Sequence, residues 1–296
     1  MNCGTFDVTL KNPTDTMNLS VISDLHAESP EVDKARLRRF LDERAALPNA
    51  AFVSIGDAFN SILPNDLKRF VASENIPEIA DRDDMIDALV DHHENLLGKY
   101  PWIMFSEGNH ELSCKKNNLT DLTNRLAKRC KLPGFVKRVG GGGVFSGNYS
   151  GFIKLRFWDE SREKQRAKGP RVTLDVAFTH GSWCGKNRGV APAEEWALGM
   201  QGARLFLFGH SHKQITYPFD WHRTTQAGRV AQESGWIVNC GTWMNSHSPG
   251  RSTFAEYKGH KPYHVGSPLV QLSVRQNRLQ GKQVGANVHI KVVNED

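Results

Sequence analysis

Phe105-Ser106-Glu107-Gly108-Asn109-His110-Glu111 is the stretch on which the reading of this chain turns. It follows a short apolar run, Trp102 to Phe105. Four other segments repeat its plan: Ser23-Asp24-Leu25-His26, Gly56-Asp57-Ala58-Phe59-Asn60, Thr179-His180-Gly181 and Gly209-His210-Ser211-His212. Each comes after about four to six mostly apolar residues, the length and composition of a buried strand. Asp, Asn and His at the ends of successive strands form the pattern of a metal site at the carboxyl edge of a sheet.

The first central strand is expected over residues 17–23. Ser29-Pro30-Glu31 then reads as a helix start, with a helix to about Ala46. Ala50 to Ile55 is a second strand and Asp83 to Leu97 a helix, on which His92 and His93 read as surface or packing residues. Asn65 is a candidate cap for a short helix over Leu67 and Phe70. Leu119 to Cys130 reads as an amphipathic helix, with Leu119, Leu122 and Leu126 in register. Gly140 to Gly143 precede a β-type stretch and read as a flexible turn, since a phosphate loop needs a helix after it. Val144 to Trp158 reads as a hairpin turning near Gly147-Asn148. Arg171 to Thr179 and Arg204 to Phe208 are further strands, with a short helix over Pro192 to Met200 between them. The C-terminal third reads as antiparallel strands. Residues 1–16 read as a peripheral extension with an edge strand at Thr5 to Leu10, leaving 17–296 as a single domain with a basic insertion around 112–190.

The chain has 296 residues and 39% hydrophobic content, enough for a sizeable core. No run of about 18 apolar residues is present, which argues against a membrane-spanning helix. The N-terminus has neither the basic patch nor the apolar run of a secretory signal. The five cysteines are scattered with no Cys-x-x-Cys pair. A reduced, cytoplasmic protein is therefore expected. The net charge of +6 is unevenly distributed. Residues 112–190 hold 17 Lys or Arg against 5 Asp or Glu, leaving 21 basic and 27 acidic residues elsewhere. Such asymmetry points to a polyanionic partner.

Asp-x-His and His-x-His place two side chains on one side of an extended backbone, so two such pairs can grip one cation. Asp57, Asn109 and the other histidines leave room for a second. Carboxylate, amide oxygen and imidazole suit manganese first, with iron, zinc or nickel as alternatives. Two divalent ions bridged by a carboxylate suit in-line displacement at phosphorus.

The order Asp-x-His, Gly-Asp, Gly-Asn-His-Glu, His, Gly-His-x-His resembles the calcineurin-like metallophosphoesterase superfamily, from Asp24 to His212. Asn239-Cys240-Gly241-Thr242 is similar to a variant of the family's late Asn-Pro-Gly-Ser turn. The resemblance implies an α/β fold, a four-layer α/β/β/α sandwich of two mixed sheets flanked by helices. It implies that Asp24, His26 and His212 hold one metal, Asn109, His180 and His210 a second, and that Asp57 bridges them. A metal-activated water would attack phosphorus. His110, no ligand in the family, would protonate the leaving oxygen or steady the phosphate. Glu111 would support its loop.

Protein phosphatases of the superfamily carry arginines after Gly-Asp and before Gly-Asn-His-Glu. Here those places hold Ala58-Phe59-Asn60-Ser61 and Glu107. A dianionic monoester is poorly clamped, and a glutamate would repel it. A phosphodiester is expected, with nucleic acid as substrate given the basic segment. Lys115, Lys116, Arg162, Lys164, Arg166, Lys168, Lys186 and Arg188 are the candidate backbone contacts, Asn60 a candidate substrate contact, and Trp183 a candidate stacking surface. The alternatives are a small-molecule or cyclic-nucleotide phosphodiesterase, a phosphomonoesterase, and a nucleic-acid-binding subunit with a vestigial metal site.

Overall fold

Ala50-Ala51-Phe52-Val53-Ser54-Ile55 lacks polar alternation, and all six residues are buried. A strand covered on both faces belongs inside a layered structure. Ala51, Val53 and Ile55 join one apolar cluster and Phe52 another. The computed structural model describes Met1 to Asn294 except for residues 13, 65, 67–69, 71–78, 80–83, 160–171, 182–190, 201, 225–227, 248–249, 251, 258, 263 and 280–281.

One sheet has seven strands: β1 (Asn2–Leu10), β5 (Val136–Arg138), β7 (Ser150–Asp159), β8 (Val172–Thr179), β9 (Leu205–Phe208), β10 (Gln214–Thr224) and β11 (Val230–Cys240), in the order β10-β11-β9-β8-β7-β1-β5. The other has six: β2 (Thr16–Ile22), β3 (Ala50–Ile55), β4 (Trp102–Ser106), β6 (Phe145–Gly147), β12 (Leu269–Leu279) and β13 (Lys282–Val293), in the order β13-β12-β2-β3-β4-β6. Val21, Val53, Ile55, Ile153, Leu155, Val176, Leu207 and Val270 fill the space between the sheets. Helices α1 (Lys34–Ala45), α2 (Met85–Leu97), α3 (Asn109–Asn118) and α4 (Leu122–Arg129) cover the six-stranded sheet through Leu37, Leu89, Cys114 and Leu122. Helix α5 (Ala191–Gly199) packs Ala197 on the seven-stranded sheet, and a short α6 spans Phe254–Tyr257. This is the expected four-layer sandwich. Strands β2, β3, β4 and β6 run parallel, as do β8, β9 and β11.

Several local expectations need correction. Residues 1–16 are not peripheral. β1 lies inside its sheet between β7 and β5, and Phe6, Val8 and Leu10 enter the core. Its alternation imitates an edge strand because the polar position Asp7 is buried against Arg156 (2.7 Å) and Trp158 (2.8 Å). The predicted hairpin does not form. β6 pairs with β4 in one sheet while β7 pairs with β1 and β8 in the other, so residues 148–149 carry the chain between layers. The first helix starts at Lys34, where Asp33 accepts from the Arg36 N–H at 2.9 Å. Ser29 is used in a loop instead, accepting from Glu31 N–H. Gly-Asn-His-Glu itself opens a helix, α3. Leu119 ends α3 in the left-handed region (φ 53°) and is exposed, so α4 begins only at Leu122, capped by Asp121. In the C-terminal third, β10 and β12 pair antiparallel with their partners, but β11 runs parallel to β9. Residues 139–144 form the expected turn, with Gly140 and Gly143 at positive φ.

No helix among the described residues is long and apolar enough to cross a membrane. Cys3, Cys114, Cys130 and Cys240 are free thiols.

Candidate metal centre

The loops after β2, β3, β4, β8 and β9 converge on one cluster. Three groups of side chains bring their ligating atoms within 4.8 Å of one another: Asp24, His26 and His212; Asp57, His180 and His210; and His26, Asp57 and His110. Asn109 joins them, with Oδ1 3.2 Å from His180 Nε2. All seven expected ligands and His110 therefore meet. Asp24, His26, Asp57 and His180 are buried, while Asn109, His110, His210 and His212 form a partly exposed rim.

The extended-backbone reason for the two His-containing pairs does not hold. Asp24 (φ 50°), His26 (φ 41°), Asp57 (φ 49°), His210 (φ 65°) and His212 (φ 55°) all lie in the left-handed region. Such residues persist where their surroundings over-determine them. Here Asp24 N–H donates to Gly56 O and His26 N–H to Asp57 O, each at 3.1 Å. The Asp24 carbonyl accepts from Trp243 N–H (3.1 Å) and Thr242 Oγ1 (3.0 Å). Asn239 Nδ2 donates to Ser211 Oγ at 2.6 Å, between the two histidines of the last motif. The late turn therefore braces the site from β11.

Each carboxylate is pinned by one oxygen and offers the other. Asp24 Oδ2 accepts from Ser23 Oγ (2.5 Å) and His210 N–H (2.8 Å), leaving Oδ1 facing His212 Nε2 at 3.2 Å. Asp57 Oδ1 accepts from His110 N–H at 3.0 Å, leaving Oδ2 between His180 Nε2 (3.1 Å) and His26 Nε2 (3.9 Å). Glu111 holds the two central loops together, accepting from the backbone N–H of Asp57 (3.1 Å), Phe59 (2.9 Å) and Gly108 (2.7 Å). The close packing demands glycine at two places. A Cβ on Gly108 would sit 2.1 Å from Asp57 Oδ1, and one on Gly209 would sit 2.2 Å from Ser23 Oγ.

The donor set fits divalent cations. Asp24 Oδ1 and both ring nitrogens of His26 are buried and accept or donate no hydrogen bond. Buried polar atoms are normally satisfied, so orphans converging in one place mark where something binds. Burial and the neighbouring His110 push His26 down to about 3, so its ring is neutral and free to ligate. Burial also lowers His210. Burial opposes ionisation of Asp57, yet the neighbouring His180 and His110 hold it well below the ordinary carboxylate range. Asp24 is likewise lowered, against burial, by the facing His212. His180 moves the other way. Burial disfavours its charge, but Asp57 raises it to about 10.

Other predicted contacts are differently placed. Asn60 contributes its backbone carbonyl, which accepts from His110 Nδ1. Lys115 is engaged by Glu107 (2.6 Å) and Asp121 (2.9 Å), so Glu107 is a buried, paired carboxylate and not a bare repulsive charge. Trp183, Lys186, Arg188, the run from Arg162 to Lys168 and the Asn65 cap lie outside the described residues. Two residues of the site were not anticipated as such. Glu28 is fully buried, accepts from Ser61 N–H at 2.6 Å and faces His93 Nε2 at 3.3 Å. Against burial, its bond to His93 lowers it to about 2. Nothing local marks Glu28, because its partners come from β3's loop and from α2.

The sequence model for calcineurin-like phosphoesterases matches residues 17–214. Among solved structures, Vps29 of Chaetomium thermophilum is similar over 94% of this chain and 97% of its own, at 12% identity and a TM-score of 0.34. No curated protein matches the chain.

Proposed function

The chain belongs to the calcineurin-like phosphoesterase family, and we propose that it is a metal-dependent phosphodiesterase with a nucleic-acid strand as its substrate class. In this reading Asp24, His26 and His212 hold one divalent ion, Asn109, His180 and His210 another, and Asp57 serves both, with manganese the preferred metal. Bound there, divalent cations supply Lewis-acid charge to phosphoryl oxygens and acidify water. The chain's own residues supply positioning and a proton. The Asn60 carbonyl fixes a proton on His110 Nδ1, which leaves Nε2 as the nitrogen available for proton transfer. Water adds to phosphorus, the bond to the leaving oxygen breaks, that oxygen takes a second proton carried on His110 Nε2, and the proton lost by the water restores Nε2–H.

One observation carries the diester preference. Ala58 and Phe59 are turned into the core, and Glu107 is held by Lys115, so those positions offer no cation to a phosphate dianion. The test is manganese-supported hydrolysis of bis-p-nitrophenyl phosphate against p-nitrophenyl phosphate. Faster turnover of the monoester would overturn the preference.

The basic segment supports a polyanionic substrate, and cleavage of single- and double-stranded DNA and RNA should fall steeply with salt. A second reading, a phosphodiesterase for small molecules, draws support from ion pairing across the fold. Arg125 pairs with Asp87, Arg129 with Asp91 and Glu94, Lys154 with Asp175, and Arg156 with Asp7. Much of the excess charge in residues 112–159 is thus answered within the protein. Flat salt dependence would favour this second reading.

A further inference from the structure

We infer that Glu28 and His93 are positioning residues for His110, acting through the single peptide group that joins Asn60 to Ser61. The two ends of that peptide are both occupied. Its N–H, on Ser61, donates to Glu28 Oε1 at 2.6 Å. Its C=O, on Asn60, accepts from His110 Nδ1. A buried carboxylate therefore stands one resonance-coupled amide away from the imidazole. A peptide transmits polarisation along its planar C–N bond. An anionic acceptor on the N–H strengthens the carbonyl as an acceptor, by roughly 10–30% per bond in condensed-phase estimates. The stronger carbonyl holds one proton on Nδ1 whether or not the ring carries a second, so any proton that Nε2 takes up is the one available to the reacting oxygen.

The surroundings are built to keep this peptide in place. Ser61 sits at φ 43°, a left-handed conformation rare for a residue with a side chain. It is held there by Glu28 on its N–H and by its own Oγ, which donates to the His110 carbonyl at 3.1 Å. His93 fixes Glu28 from behind. Its Nε2 lies 3.3 Å from Glu28 Oε2 and 3.1 Å from the Ala58 carbonyl, and its Nδ1 donates to the Leu89 carbonyl at 2.7 Å. Phe59 stacks on the His93 ring at 3.8 Å. Glu28 and His93 are both inaccessible to solvent, so the pair serves no surface role. Burial of a carboxylate is costly unless it is paired and hydrogen-bonded, and here one oxygen accepts from the Ser61 N–H while the other faces the His93 ring at 3.3 Å.

The inference rests on the proposal that His110 is the proton donor, and the experiment separates the two. Nitrogen NMR of ¹⁵N-histidine-labelled, metal-free protein, with His110 assigned by its loss in His110→Ala, reads the tautomer directly. In the wild type the neutral ring is expected as the Nδ1–H tautomer, whose Nε2 is the nitrogen that takes up and gives the working proton; a predominant Nε2–H tautomer overturns the inference without any variant or assay of activity. Glu28→Gln keeps the shape and removes the charge. Its expected phenotype is a shifted His110 nitrogen signal, kcat on bis-p-nitrophenyl phosphate lower by roughly 10–100-fold, the range seen for residues that orient a working side chain, KM within twofold, and two manganese ions still bound per chain. Unchanged kcat with unchanged nitrogen shifts overturns it. So does a kcat that falls only in step with lost manganese, which would make Glu28 a scaffold for the metal loop. If the wild type hydrolyses no ester, the functional reading fails while the tautomer measurement still decides the inference.

Discussion

Loading this centre with a divalent cation should expel a proton, and that proton should come from His180. Its Nδ1 donates to the Ile55 carbonyl at 2.7 Å, and its Nε2 faces Asp57 Oδ2 at 3.1 Å and Asn109 Oδ1 at 3.2 Å. The partners of both ring nitrogens are oxygen acceptors, so both nitrogens carry protons in the metal-free protein. Burial opposes that charge, but Asp57 raises the imidazolium to about 10. A ligating imidazole must be neutral. Removing a proton held at about 10 from a protein at pH 7 costs about 4 kcal/mol, at about 1.4 kcal/mol per unit. The affinity of the ion on Asp57, His180 and His210 should therefore rise as pH rises, by about tenfold per unit between roughly pH 7 and 9. His26, already neutral because burial and His110 lower it to about 3, contributes no such proton. Calorimetric titration with manganese in buffers of different ionisation enthalpy counts the protons released. The expected count near neutral pH is about one more for the wild type than for His180→Asn. Identical counts and identical pH dependence in the two proteins would refute the reasoning.

His110→Ala should lower kcat by roughly 10²- to 10⁴-fold while retaining two bound metal ions; wild-type turnover would remove its assigned role. Gly108→Ala places a methyl 2.1 Å from Asp57 Oδ1 and should abolish metal binding in a chain that still folds by circular dichroism; normal metal content would contradict the packing described. Phe59→Ala empties a fully buried site against His93 and should cost about 3–5 kcal/mol in denaturant unfolding. Arg129→Ala loses only partly exposed pairs to Asp91 and Glu94. It should change stability by no more than about 1 kcal/mol, and should leave the salt dependence of nucleic-acid cleavage where it was.

Local sequence is enough to mark the strands that carry the site and the residues at their ends. Apolar runs such as Ala50 to Ile55, each closed by Asp, Asn or His, are local signals, and a buried strand followed by a ligand-bearing loop needs no distant information to be seen. The late turn at Asn239 was legible as a motif, though its bracing of Asp24 and Ser211 was not. What the tertiary structure decided are matters of pairing between segments far apart in the chain. β1 looked like an edge strand until Arg156 and Trp158 buried Asp7, and β6 and β7 looked like a hairpin until each found its partner in a different sheet. The basic segment reads in the sequence as one excess of charge, and only the fold shows that α2 and β1 answer Arg125, Arg129 and Arg156 within it. The left-handed backbone at Asp24, Asp57 and His210, and the Glu28–peptide–His110 link, depend on loops from separate strands meeting. Hydrophobic periodicity is a property of neighbouring residues and is written locally, whereas a hydrogen bond or ion pair across more than 30 positions leaves no mark on either segment until the core brings the two together.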